Sequence, residues 1–388
     1  MPYKSSMWDS MESIWRAAIL DDTNEVVVMP LPYYNLDSNG NYSELNWEGK
    51  DFPDYVDVTK YDDYDIELRH PDVVVIHNPY DGNNKITRVS SEYFSDKLKE
   101  NTSMLVYVPY YVLPGKPIEK DNTFVLQTGV INSDYVFVQN QQMKDFYLKV
   151  LEPYCDKSEL DKKIIAIGSP KTDKVIFEEQ NLTEIPQEWK EKIKGKKVLF
   201  FNTNLSLILN NNENIFDYMQ KVFDTFRDHP EFIVIWREHP LTISTLEAMR
   251  PELMERYVEM RDLYINEGYG ILDETPEPHL AMAVSDCYYG AGGSLSAIYP
   301  VTGKPLLIMD YQYPKRISDK MISTEELKGK ATDRMLYVER NINTLDVFMS
   351  DIEVFIAEKE DRIKCQAIRM DNLDGTVGEK IYQYFTKQ

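Results

Sequence analysis

Cysteine is scarce in this sequence, with three among 388 residues, and Cys155, Cys287 and Cys365 lie far apart. An odd, scattered set offers neither a disulfide framework nor zinc-ligand spacing, and it fits a reducing compartment. Long apolar runs are also missing. No stretch reaches the roughly 18 apolar residues that mark a membrane-spanning helix, and Trp8, Asp9 and Glu12 stand where a signal peptide needs its apolar core. Cationic residues are outnumbered, 43 Lys and Arg against 65 Asp and Glu, for a formal charge of −22. So acidic a chain repels nucleic-acid phosphates and anionic headgroups, and no dense Lys/Arg block makes a local exception. No His, Cys or carboxylate cluster has metal-site spacing, and no Gly-x-Ser-x-Gly elbow occurs. These absences lead to the expectation of a cytoplasmic protein with no metal site, no transmembrane segment and no nucleic-acid partner.

What remains is ordinary globular composition, 43% hydrophobic and 28% charged, with 27 tyrosines. The length suits two domains, each able to bury its own core. Short β-branched runs alternate with segments of helical period throughout, the pattern of parallel sheets with crossover helices. The first half predicts strands at Glu25 to Met29, Val73 to His77, Leu105 to Pro109, Tyr135 to Gln139 and Ile164 to Ile167. The second predicts them at Lys197 to Phe201, Phe232 to Trp236, Tyr269 to Leu272, Cys287 to Tyr289, Leu306 to Met309 and Met335 to Val338. Helix Glu213 to Arg227 sets Ile215, Met219, Val222, Phe223 and Phe226 on one stripe. Thr344 to Lys359 reads as a second amphipathic helix, and a last one near Gly378 to Phe385 closes the chain. The charged, Pro186-containing stretch Phe177 to Lys196 reads as the hinge, which places an N-terminal domain at residues 1–180 and a C-terminal one at 195–388. Asp9 is positioned to cap a helix running to about Leu20, so a first central strand is either absent or lies upstream of Met1.

Ligands of open α/β sheets bind beyond the carboxyl ends of the strands, so polar residues that follow apolar runs come first. Strand Phe232 to Trp236 runs into Arg237, Glu238 and His239, and an Arg with a His there can hold phosphate oxygens. The bland alternative is a pair engaged by nearby carboxylates. After strand Cys287 to Tyr289 come Gly290, Gly292 and Gly293 and a helix beginning at Ser294, with Ser296 two residues further on. Such a turn lets backbone amides approach an anion, although many glycine turns are only turns, and the spacing matches neither a P-loop nor the dinucleotide fingerprint. Asn202 and Thr203, at the end of the second domain's first strand, would line the same place or merely cap a helix. In the first domain His77 and Asp81 follow a buried strand, where they would supply a general base or a polar turn. His70 and His229 read as structural, and His279 as a weak candidate on a helix where it would face solvent.

Three motifs resemble the CDP-glycerol glycerophosphotransferase family of teichoic acid polymerases. They are GSPKTDK at Gly168 to Lys174, REHP at Arg237 to Pro240, and the glycine and serine stretch ending in GKP at Gly303 to Pro305. Their order and spacing agree over roughly Ile164 to Asp310. The resemblance implies a GT-B-like fold of two Rossmann-like domains with the active-site cleft between them. It also implies Arg237 and His239 on the donor pyrophosphate, and Gly293, Ser294 and Ser296 on phosphate or ribose. The family's first-domain His-Gly-Thr-Pro segment would fall near Val108 to Lys116, which reads VPYYVLPGK and has no His. Ala291 and Gly293 also stand where the family has Asp and Ser.

The resulting expectation is a metal-independent transferase that needs no cofactor. It would move a polyol phosphate from a CDP-linked donor to a polyol, glycan or lipid-linked hydroxyl in surface-polymer synthesis, in the cytoplasm or peripherally at the inner face of the plasma membrane. Catalysis would fall to His77, Asp81 and His239. Donor binding would fall to Asn202, Thr203, Arg237, His239, Gly290, Gly292, Gly293, Ser294 and Ser296. A nucleotide-sugar glycosyltransferase of the same fold is the first alternative, and a non-catalytic nucleotide-binding or scaffold protein the second.

Overall fold

The computed structural model describes residues 1–386 other than 38, 114, 183–184, 212, 269, 310–321, 333–334 and 340–342. Tyr269, expected to open a strand, lies outside the described residues, as do Pro114 and Asp310 from the segments carrying the resemblance. The chain forms two compact units, Met1–Lys174 together with Ala367–Gln388, and Val175–Gln366.

The first unit contains β1 (Tyr33–Leu36), β2 (Tyr42–Asn46), β3 (Val73–Ile76), β4 (Thr87–Val89), β5 (Met104–Tyr107), β6 (Tyr135–Val138) and β7 (Ile164–Ala166). β3, β5, β6 and β7 pair in that order as a parallel sheet, and β1 joins β2 and β4 in a small antiparallel one. The parallel strands are apolar at consecutive positions because both faces are covered. Val74, Ile76, Leu105, Tyr107, Val136 and Val138 enter one core. Val106 and Phe137 face the other way, against Ile14 of helix Glu12–Ile19 and Val377 and Ile381 of helix Val377–Thr386. The last helix therefore closes the first unit and not the second. Two further expectations are corrected here. Glu25 to Met29 forms no strand; Val28 makes a single parallel bridge to Val58. Asp9 lies inside the 3-10 turn Ser5–Ser10, Met11 holds the N-cap position of the following helix, and the Asp9 carboxylate receives Lys171 Nζ at 2.5 Å.

The second unit contains β8 (Lys197–Asn202), β9 (Phe232–Arg237), β10 (Gly270–Leu272), β11 (Cys287–Gly290), β12 (Leu306–Ile308) and β13 (Tyr337–Val338). Its parallel sheet has the order β10-β9-β8-β11-β12-β13. The chain builds outward from β8 to β10, then returns to place β11 on the other side of β8. The strand order thus reverses between β8 and β11, where such sheets hold ligands. The expected stripe Ile215, Met219, Val222, Phe223 and Phe226 is buried in this unit's core. Residues 177–196 also belong to this unit, where helix Gln187–Ile193 buries Trp189. The helix expected over Thr344 to Lys359 is instead two, Asn343–Ser350 and Ile352–Ile356. It breaks at Asp351, whose carboxylate accepts the Thr324 hydroxyl, while Leu345, Phe348, Ile352 and Phe355 stay buried.

GSPKTDK ties the first unit together. Lys171 pairs with Asp9, and Lys174 Nζ meets Glu12 Oε2 at 3.0 Å. Asp173 accepts the backbone N–H groups of Val377 at 3.2 Å and Gly378 at 2.8 Å, capping the last helix. Burial pushes the Asp173 carboxyl up to about 6 in spite of these bonds. A carboxyl with its folded pKa above its unfolded one holds more protons when folded, so the native state loses stability as pH rises from about 4 to about 6. At 1.36 kcal/mol per unit the loss is on the order of 3 kcal/mol. Urea titrations at stepped pH are expected to show this slope in the native protein and a flatter one in Asp173→Asn; equal slopes would show that the charge sits elsewhere.

Candidate functional site

In the second unit the reversal between β8 and β11 is held by a backbone contact. Gly290 lies in register with Asn202 at φ 153°, and a Cβ added there would come within 2.2 Å of the Asn202 carbonyl oxygen. Asn204 then joins the two loops. Its Nδ2 donates to Gly292 O at 3.2 Å, and its Oδ1 accepts Leu207 N at 3.0 Å at the start of helix Leu205–Asn211. Asn204 lies in the polar segment recognised from sequence, but nothing in that segment distinguished it from its neighbours.

The expected lining residues divide into two groups. Asn202 and Thr203 are buried, and both brace β9. Asn202 Nδ2 donates to Arg237 O at 3.1 Å, and Thr203 Oγ1 accepts Trp236 Nε1 at 3.0 Å. Ser296 Oγ is engaged by Gly293 N at 2.8 Å in the turn before helix Ser294–Ile298. Gly293 and Ser294 are exposed and Gly292 is half-buried, so these three carry the open part of the turn.

Arg237 departs from expectation. Its NH1 donates to Asp273 Oδ2 at 2.7 Å and to Thr275 Oγ1 at 3.3 Å, while NH2 donates to Pro276 O at 3.2 Å. Arg237 is 6% exposed and the Asp273 side chain 0%. The guanidinium fork is filled by the 273–277 loop and is not directed at a donor pyrophosphate; the ion-paired alternative holds. No motif in the sequence marked Asp273 or Thr275 as its partners, because that pairing forms only when β9 and β10 lie side by side.

His239 lies two residues beyond β9 and is half-buried. Its Nδ1 accepts the Leu241 N–H at 3.2 Å, so the proton of the neutral ring sits on Nε2. Burial lowers its pKa, which favours this neutral form. No carboxylate among the described residues pairs with it. The half-buried ring thus keeps an Nε2–H available as a donor at the end of β9. Lys304, from the GKP motif, is spent on Glu179 at 2.8 Å and on the Ala283 carbonyl at 2.7 Å.

In the first unit both candidate bases are closed in. His77 is fully buried. Its Nδ1 meets Ser10 Oγ at 2.9 Å and its Nε2 accepts Tyr3 N at 2.7 Å. Desolvation, with the charges of the Met1 ammonium and Lys171, pushes it down to about 3. The ring ties the N-terminal segment to the end of β3 and has no free nitrogen for an acceptor proton. Asp81 adopts φ 44° and accepts Ser95 N at 3.0 Å, and burial raises its pKa. It anchors a polar turn, the bland reading of this segment.

Removing a partner from a buried ion pair leaves the other charge uncompensated, at a cost of about 3–5 kcal/mol. Arg237→Met is therefore expected to destabilise the second unit by that order in chemical denaturation. His239→Ala, at a half-exposed loop position, is expected to stay within about 0.5 kcal/mol of the native protein.

No family model matches the chain, and no curated protein matches it. Solved structures do. A variant of the wall teichoic acid polymerase TagF soaked with CDPG superposes with a TM-score of 0.56 at 13% identity, over 100% of this chain and 87% of that one. The UDP-GlcNAc 2-epimerase from Neisseria meningitidis bound to UDP-GlcNAc gives 0.56 at 12% identity, over 100% and 98%. A further UDP-N-acetylglucosamine 2-epimerase gives 0.59 at 10% identity, over 100% and 95%. Such identities establish architecture and nothing finer: this chain has the GT-B-like fold, two Rossmann-like α/β units, shared by the teichoic acid polymerase and the epimerases.

Proposed function

We propose that the protein is a GT-B transferase whose second unit binds a nucleotide-diphosphate donor where β8 and β11 diverge. The observation that carries this reading is topological: the open glycine turn, Gly292 to Ser294, follows β11 and His239 follows β9, the two strands that flank β8 at the reversal. The exposed turn at Gly293 and Ser294 lets a phosphate approach the backbone, and the imidazole supplies one directional donor to a phosphate oxygen.

The three sequence motifs favour a CDP-linked polyol phosphate as donor. An acceptor hydroxyl on a polyol, glycan or lipid-linked chain would attack the β-phosphorus. The new O–P bond forms as the bond to the bridging oxygen breaks, and CMP leaves. His239 and the turn amides stabilise charge on the transferring and departing phosphates, an effect larger in the transition state than in the bound donor. The acceptor's proton, which neither His77 nor Asp81 is free to take, is released to water as CMP departs. In this reading the protein works in the cytoplasm, with any membrane attachment peripheral.

A nucleotide-sugar donor is the second reading, favoured by the full-length match to an epimerase structure bound to UDP-GlcNAc. The enclosed positions of His77 and Asp81 favour a third, nucleotide binding without turnover.

Calorimetric titration with CDP-glycerol, CDP, CMP, UDP and UDP-GlcNAc separates these readings. Cytidine-selective binding, weakened about tenfold or more by His239→Ala at unchanged stability, is expected. Uridine selectivity would move the assignment to a sugar nucleotide, and no binding of any nucleotide would remove the donor site.

A further inference from the structure

The small antiparallel sheet of the first unit has one covered face and one open face. Tyr33 and Val89, paired across β1 and β4, are buried in the core, and Thr87 is buried beside them. Alternation along the strands turns their neighbours outward. Tyr34 lies in register with Arg88 on one side and with Leu45 on the other, and Leu36 lies in register with Tyr42. Tyr42 is 49% exposed and Leu45 45%. Ile86, whose carbonyl accepts Leu36 N at 2.9 Å, is 77% exposed.

On this outer face the Tyr34 and Tyr42 rings stack, with centroids 4.7 Å apart and 23° between their planes. The Arg88 guanidinium carbon lies 5.6 Å from the Tyr42 ring centroid. Its NH2 donates to Asn84 O at 3.3 Å, and its Nε has no partner. Arg16 is spent on Glu12 and Arg69 on Glu25, whereas Arg88 pairs with no carboxylate among the described residues. Asp37, in the turn between β1 and β2, is occupied within its own loop, where it accepts Asn39 N at 2.8 Å and Asn41 N at 2.9 Å. In a chain of charge −22, a guanidinium left with one carbonyl and an aromatic ring is a place for an external anion.

Size and edge geometry select the class of ligand. Three strands about 4.8 Å apart and four residues at about 3.3 Å each give a face of roughly 10 by 13 Å. A protein partner needs about 800 Å² on each side. The roughly 130 Å² of this face matches one or two sugar rings. The bulge between Tyr34 and Leu36 breaks the ladder with β2, which makes that edge a poor template for an added peptide strand.

We propose that the outer face of β1, β2 and β4 binds a saccharide unit bearing an anionic group. The C–H face of the sugar ring packs on Tyr34 and Tyr42, and its carboxylate or phosphate pairs with Arg88. The site is formed by the first unit alone and stands independently of the donor reading in the second.

Calorimetric titration of the full chain with a hyaluronan tetrasaccharide, which carries carboxylates, and with mannose 6-phosphate tests this, with neutral chitotetraose as the control. Saturable binding of at least one anionic saccharide is expected, tenfold or more tighter than the control; which of the two binds identifies the anion. Arg88→Gln and Tyr42→Ser should each weaken it tenfold or more at an unchanged circular dichroism spectrum, while Tyr42→Phe and His239→Ala leave it intact. Absence of saturable binding, equal affinity for chitotetraose, or indifference to both Arg88→Gln and Tyr42→Ser would overturn the proposal. So would equal binding of a tetraglutamate peptide, which would assign the face to an acidic polypeptide. Loss of binding in His239→Ala alone would move the saccharide to the donor site and overturn it as well.

Discussion

The approach of Gly290 to Asn202 is the contact on which the second unit's candidate site depends. β8 and β11 are neighbours whose connections depart in opposite directions, so their ends must diverge at once to leave space for a ligand. Only a residue without a side chain can sit 2.2 Å, at its hypothetical Cβ, from a neighbouring carbonyl oxygen, and only glycine takes φ 153° without strain. From that point Asn204 can reach Gly292 and the turn through Gly293 opens, while the loop after β9 carries His239.

Cations are consumed inside this acidic chain. Arg237 is enclosed by Asp273 and the carbonyls of its loop, Lys174 by Glu12, Lys171 by Asp9 and Lys304 by Glu179. A buried pair contributes modestly in net terms, yet breaking one is costly, so such pairs hold loops in place. The consequence for function is concrete. Arg237 and the lysines of the motifs act as braces, so the proposed donor site relies on the His239 imidazole and the turn after β11.

The two units treat their strand ends differently. In the first, His77 and Asp81 are covered by the N-terminal segment and by Ser95, and their protonation is set by burial. In the second, the ends of β8, β9 and β11 keep half-exposed or exposed polar positions at Gly292, Gly293, Ser294 and His239. This contrast is why the proposed donor site lies in the second unit.

The sequence by itself determined the α/β class, the strands of both parallel sheets other than Glu25 to Met29, and the buried stripe Ile215 to Phe226, because consecutive β-branched residues and a 3.6-residue apolar period are properties of neighbouring residues. It also marked the strand ends, since polar residues follow apolar runs there. Tertiary structure alone decided what those residues do. Whether Arg237 is free depends on Asp273, 36 residues away; whether His77 is basic depends on Tyr3 and Ser10, 74 and 67 residues away. Which unit owns the last helix depends on Asp173, more than 200 residues before it. Hydrogen-bond partners and desolvation are set by segments that meet only in the folded chain, and local pattern carries no record of them.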